Sequence, residues 1–240
     1  MAARYDRGMP PDPAQALESR PRRGLLIVAE GLDGSGKSAT VEGIGRWLER
    51  RGRKVRIVAW EPSELVTRAA ADPRSRTALT ARVAALLAAA DAQHRIGLPV
   101  ARRLERDEVV LADRYGWTAI AREVARGLEL DWAVNLHQSL PVPDLILYHR
   151  GDAGSAIERA LATRPPSVRS AAVGAAYGQF VERLLATFEA LAERSRRGAG
   201  TPWSSPVLAL DVHADPAANA RLARDAVRAL VEPSGARRPA

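Results

Sequence analysis

One nine-residue stretch, Glu30-Gly31-Leu32-Asp33-Gly34-Ser35-Gly36-Lys37-Ser38, constrains this 240-residue chain more than any other. It contains G-x-x-x-x-G-K-S, follows a short β-branched run and opens a helical pattern, the strand–loop–helix setting in which this spacing cradles phosphate. Glycines let backbone N–H groups curl around an anion, and the N-terminus of the following helix adds the positive end of its dipole. Lys37 is placed to reach the β- and γ-phosphates, and Ser38 to give its hydroxyl to Mg²⁺. The expectation is a nucleoside triphosphate held by Gly31, Asp33, Gly34, Ser35, Gly36, Lys37 and Ser38, with Ala39 in the first helical turn. The bland alternative is a glycine-rich turn with an exposed lysine.

The rest of the chain fits the architecture that such a loop requires. Short, continuously apolar runs at 24–29, 54–60, 108–112, 144–148 and 206–210 read as strands. Helical patterns fall between them at about 37–51, 77–97, 117–126, 152–163, 172–196 and 216–231. This alternation predicts an α/β fold, a three-layer sandwich whose five-stranded parallel sheet has helices on both faces. Ligands in such sheets sit beyond the carboxyl ends of the strands. Residues 1–23 and 232–240 are rich in Pro and Arg without periodicity and are expected to be disordered tails, leaving 24–231 as one domain. TRPPSVRS at 163–170 reads as a loop between two helices.

Composition excludes several classes. Apolar residues at 46% and charged ones at 27% are ordinary for a globular domain. No apolar run reaches the roughly 18 residues of a membrane span, and the N-terminal segment has no apolar signal region. The absence of cysteine rules out disulfides, zinc–thiolate sites and thiol chemistry, and fits a reducing, cytoplasmic setting. A net charge of +8 raises the question of nucleic acid, but the basic residues are interspersed with acids and read as a solvated surface. Only two of the 36 basic residues are lysines, Lys37 and Lys54, so a lysine kept in the phosphate loop stands out. His94, His137, His149 and His213 lack metal-ligand spacing and read as structural or solvated. Tyr177 and Phe180, one turn apart, read as core contacts of the long helix.

The third strand ends at Asp113, delivering a carboxylate toward the metal, and Arg114 follows where water-activating members of this class carry a Glu. A cation there suits a second phosphorylated substrate better than hydrolysis. The alternative is a buried structural ion pair.

At this point the sequence resembles the thymidylate kinase family. EGLDGSGKS, EPS at 61–63, DRY at 113–115 and PDLILY at 143–148 occur in that family's order, colinear over about 24–231. The resemblance implies a P-loop NTPase-type fold with a short mobile LID, and transfer of the ATP γ-phosphate to a nucleoside monophosphate, by default dTMP. It also implies a homodimer packed through helices on one sheet face, which the alanine-rich 77–97 helix would suit. By the same resemblance Asp33 would meet the acceptor's sugar hydroxyl, and Glu61 and Pro62 would shape its pocket. Arg68 and Arg114 would hold the acceptor's phosphate, with Tyr115 and Thr118 also at the substrate and Asp113 near the metal. The phosphate loop carries no arginine, so Arg164 and Arg169 become the catalytic LID candidates, or else solvated loop residues.

The departures cluster at the acceptor base. LLAAADAQH at 86–94 puts Ala88 where the family's stacking aromatic belongs and Ala92 where its base-contacting arginine belongs. After DRY, Arg122-Glu123 replace an Ala-Tyr-Gln pattern, with Trp117 as a stacking face or simple helix packing. The segment after EPS is about five residues short before Asp72-Pro73. The acceptor is therefore dTMP, another nucleotide or a small phosphorylated metabolite. A nucleotide-binding regulatory module with little transfer activity is the remaining alternative.

Overall fold

The computed structural model describes residues 24–61, 63–64, 67–68, 80–162, 171–198 and 205–232. Five strands, β1 (Leu25–Gly31), β2 (Val55–Ala59), β3 (Val109–Asp113), β4 (Leu145–Arg150) and β5 (Val207–Asp211), form one sheet in the order β2-β3-β1-β4-β5. Every pairing is parallel. The helices are α1 (Lys37–Glu49), α2 (Ala81–Ala92), α3 (Leu98–Leu104), α4 (Gly116–Ala125), α5 (Leu130–Leu136), α6 (Ala153–Ala162), α7 (Ala171–Arg196) and α8 (Pro216–Val231).

The strands are continuously apolar because both faces of the sheet are covered. Alternate residues serve the two faces. Leu26 and Val28 of β1 join Val110, Ala112, Ile146 and Tyr148 under α2, α3, α4 and α7. Ile27 and Ala29 join Leu111, Leu145 and Leu147 under α1 and α8. This is the three-layer sandwich expected, with the edge strands β2 and β5 less buried than the central three. Among the described residues, no helix is long and apolar enough to cross a membrane.

Two expectations need correction. The helix expected over 77–97 does not stop there: a π-helical turn at Gln93–Gly97 carries it into α3 as far as Leu104. Pro99 explains the widened turn, since it has no N–H to donate and its ring crowds the carbonyl four residues back. The short α5 was not expected at all, because seven residues are too few to show a period. The two tails, apart from Glu232, and the 163–170 loop lie outside the described residues.

Register places the site. Ala29 stands opposite Asp113, and Gly31 opposite His149. The carboxyl ends of the three central strands are thus level, beneath the loop that follows β1.

Candidate active site

The loop after β1 turns on glycines in left-handed backbone: Gly31 at φ +135°, Gly34 at +72° and Gly36 at +89°. Gly31 also has no room for a side chain, as a Cβ there would lie 2.5 Å from the His149 carbonyl oxygen. Gly36 caps α1 without a side-chain acceptor, leaving the first N–H groups of that helix open to an anion.

Lys37, only 3% exposed, folds back over the loop and donates to the Leu32 carbonyl at 2.5 Å and Ser35 Oγ at 3.1 Å. Burial, and then the nearby Arg114 charge, bring its pKa down to about 8. From below, the buried His149 ring donates Nδ1–H to the Ser35 carbonyl at 2.9 Å. Burial pushes that imidazole down to about 4, so it is neutral at physiological pH and acts as a fixed donor.

Across the loop, Ser38 Oγ donates to Asp113 Oδ2 at 2.5 Å, while Asp113 Oδ1 is buried without a partner. An oxygen pair with one unsatisfied carboxylate oxygen fits a divalent cation of the Mg²⁺ kind, which takes few protein ligands and completes its shell with phosphate and water. Among the described residues no cluster of three or more His, Cys, Asp or Glu offers another metal site.

Arg114 sits at φ +68°, a left-handed conformation that non-glycine residues rarely adopt. Glu30, fully buried at the end of β1, holds it there. Its carboxylate accepts from the Tyr115 and Trp117 N–H groups at 3.0 Å each and from Thr118 Oγ at 2.5 Å. Arg114 thereby points back over the loop and pairs with Asp33 at 2.8 Å. Burial pushes the Asp33 carboxyl up, but Arg114 together with Arg122 and Lys37 outweighs it and holds the group below the usual range.

A cavity of about 170 Å³ opens beside this pair, between the phosphate loop, α4, α6 and α7. Leu32, Val181 and Leu184 give it apolar walls, Tyr177 and Phe180 aromatic ones, and Asp33 and Arg122 the charges. A nucleotide-kinase family model, "Thymidylate kinase", matches residues 29–193, which spans the loop, this cavity and the DRY turn.

The chain belongs to the thymidylate kinase family. Among its relatives, "Probable thymidylate kinase 2" of Saccharolobus solfataricus is 35% identical over 137 residues, covering 57% of this chain and 64% of that protein. "Probable thymidylate kinase" of Pyrococcus abyssi is 34% identical over 134 residues, 52% of this chain and 64% of its own length. "Thymidylate kinase" of Xanthomonas campestris pv. campestris is 33% identical over 129 residues, 52% and 55% respectively. The matches therefore span less than two thirds of these thymidylate kinases.

Gly31, Asp33, Gly34, Ser35 and Gly36 lie at the end of β1 and in the loop after it, Lys37, Ser38 and Ala39 open α1, and Asp113 and Arg114 stand beside them. Tyr115 does not reach the cavity: it is fully buried, donates its hydroxyl to the Pro141 carbonyl at 3.2 Å and packs edge-on to Trp60. Thr118 is likewise buried on Glu30, so both support the site from behind and do not line it. Arg68 pairs with Glu64 on the surface, both largely exposed. Trp117 is core packing, edge-on to Tyr148. Phe180 is half-buried at the cavity wall and not a core residue, and Tyr177 lines the same cavity while packing on the core. Pro62, Arg164 and Arg169 lie outside the described residues. His137 is buried on Glu123 at 2.9 Å, and His213 pairs with Asp152 at 2.8 Å on the surface.

Ala88 and Ala92 line a cleft of about 30 Å³ whose other walls include Trp60, Glu61 and Arg95. Arg95 donates to the Glu61 carbonyl at 2.9 Å. Sequence reading assigned no role to Glu30 or Arg95, and of its two readings of His149, structural or solvated, the buried bond to the Ser35 carbonyl fits the first. The signal for Glu30 was a carboxylate closing an apolar strand.

Proposed function

We propose that this chain is an ATP- and Mg²⁺-dependent nucleoside monophosphate kinase that phosphorylates dTMP to dTDP. The observation that carries it is the Asp33–Arg114 pair at 2.8 Å, which puts a cation where a hydrolase would activate water, in a chain of the thymidylate kinase family. Lys37 and the open N–H groups of α1 would bind the β- and γ-phosphates of ATP. Ser38 and Asp113 would hold Mg²⁺, which when bound neutralises charge on the bridging phosphate oxygens. Arg114 would release Asp33 to meet the acceptor's phosphate, and Asp33, already favoured as the carboxylate, would accept from a sugar hydroxyl. Transfer between two anions gains most from such fixed cations. Arg164 and Arg169 would add charge from the LID.

The acceptor is a small nucleotide, and the setting is the cytoplasm, which a cysteine-free chain suits. We also infer a homodimer through α2, where Val83, Leu86 and Leu87 stay exposed.

The test is incubation of purified protein with γ-labelled ATP, Mg²⁺ and dTMP, with chromatographic separation of the product. Label in dTDP with wild type and none with Lys37→Ala supports the reading. Label released only as inorganic phosphate counts against it.

A further inference from the structure

His149 is a polar ring buried under the phosphate loop, in a place that an apolar ring would fill as well. It is the last buried residue of β4, only 4% exposed, and it stands opposite Gly31 in the sheet register. Gly31 makes room for it, since a Cβ on that glycine would come within 3.2 Å of the His149 Cβ. The ring lies beneath the Ser35–Gly36 peptide. Its Nδ1 is 2.9 Å from the Ser35 carbonyl oxygen and 4.0 Å from the point where a Cβ on Gly36 would stand. A carbonyl oxygen only accepts, so Nδ1 carries the proton and Nε2 is left as an acceptor. Nε2 is buried and has no partner among the described residues. An apolar ring would avoid that orphaned nitrogen. What the imidazole adds is the one bond to Ser35.

That bond sets the direction of a whole peptide unit, because the C=O and N–H of a trans peptide point to opposite sides. With the Ser35 carbonyl held on His149, the Gly36 N–H faces away from β4, and it donates to no backbone carbonyl among the described residues. Gly36 is left-handed at φ +89° and caps α1, so its N–H leads the open N–H groups of that helix. We propose that His149 is a positioning residue for the triphosphate: by holding the Ser35 carbonyl, it aims the Gly36 N–H into the anion cradle before ATP arrives. The inference rests on the reading of this loop as the ATP site. Lys37 cannot take the task, because its bonds to the Leu32 carbonyl and Ser35 Oγ are given up when it turns to the phosphates. The His149 bond engages a carbonyl oxygen, for which no phosphate competes, so it persists when the ligand binds. Burial keeps the ring neutral, and the donor adds no third cation beside Lys37 and Arg114.

Calorimetric binding of ATP and of dTMP to the full chain tests it, on wild type, His149→Phe and His149→Asn, with thermal unfolding of each. Phenylalanine keeps a ring and removes the donor, whereas asparagine carries its amide nitrogen on Cγ, as histidine carries Nδ1. His149→Phe is expected to melt no lower than wild type and yet bind ATP about tenfold or more weakly, as loss of one aligned hydrogen bond to a charged group predicts. Its binding of dTMP should be unchanged, and His149→Asn should recover most of the ATP affinity. His149→Leu gives the same reading should His149→Phe fail to fold. ATP affinity within about twofold of wild type in the folded Phe or Leu variant overturns the proposal. So does a loss that extends equally to dTMP or that asparagine does not restore, which would make His149 packing alone. If ATP binding depends on His149 but wild type forms no dTDP, the kinase reading falls and this inference stands; if wild type binds no ATP, both fall.

Discussion

Lys37 is half-deprotonated near pH 8 in the ligand-free protein, because burial and the Arg114 charge both oppose a second cation there. Its depressed pKa means the charge is present below pH 8 and lost above it. A bound triphosphate restores the charge, so ATP binding at pH 8.5 should take up a proton, and affinity should fall as pH rises through 8. Calorimetry in two buffers of unlike ionisation enthalpy measures this uptake, and a binding heat independent of buffer would show that Lys37 does not meet the phosphates. The phosphate loop and Asp113 were legible because motif spacing fixes them locally. The burial of Tyr115 and Thr118 was not legible, because adjacency to Arg114 in sequence does not reveal it. What decides their place is Glu30, which lies 85 and 88 residues away along the chain.

At the scale of elements, the junction between β3 and α4 depends on that one carboxylate. Glu30 satisfies two N–H groups at the start of α4 and a buried hydroxyl, and it fixes the left-handed Arg114. Burial raises its pKa, with the hydrogen bonds from Thr118 opposing. Glu30→Ala leaves three buried donors without a partner and should destabilise the fold by about 2–4 kcal/mol, at 1–3 kcal/mol for each unsatisfied group with partial relaxation. Urea unfolding measures the loss, and a change under about 0.5 kcal/mol would mean water replaces the carboxylate at no cost. Strand positions were readable from sequence because both-face burial writes continuous apolar runs. The end of the 77–97 helix was not, since whether Pro99 stops a helix or widens it is settled by packing on either side. Ile96, Val100 and Leu104 all lie in the core, which holds the helix together through the turn.

Over the whole molecule, the parallel sheet gathers the ends of β1, β3 and β4 under one loop, while α2 keeps apolar side chains outward. Leu86 is 52% exposed in the isolated chain. If α2 forms the seam between two copies, Leu86→Glu should shift a dimer toward monomer in light scattering without lowering the melting temperature of the monomer. A monomeric wild type at micromolar concentration would contradict this. On the proposed function, the two cations at the loop, Lys37 and Arg114, would serve transfer to a second nucleotide and not to water. ADP release from ATP and Mg²⁺, measured on the same preparation with and without dTMP, tests it most directly. Release should be fast with dTMP and near background without it; the same rate in both would mean that water is the acceptor.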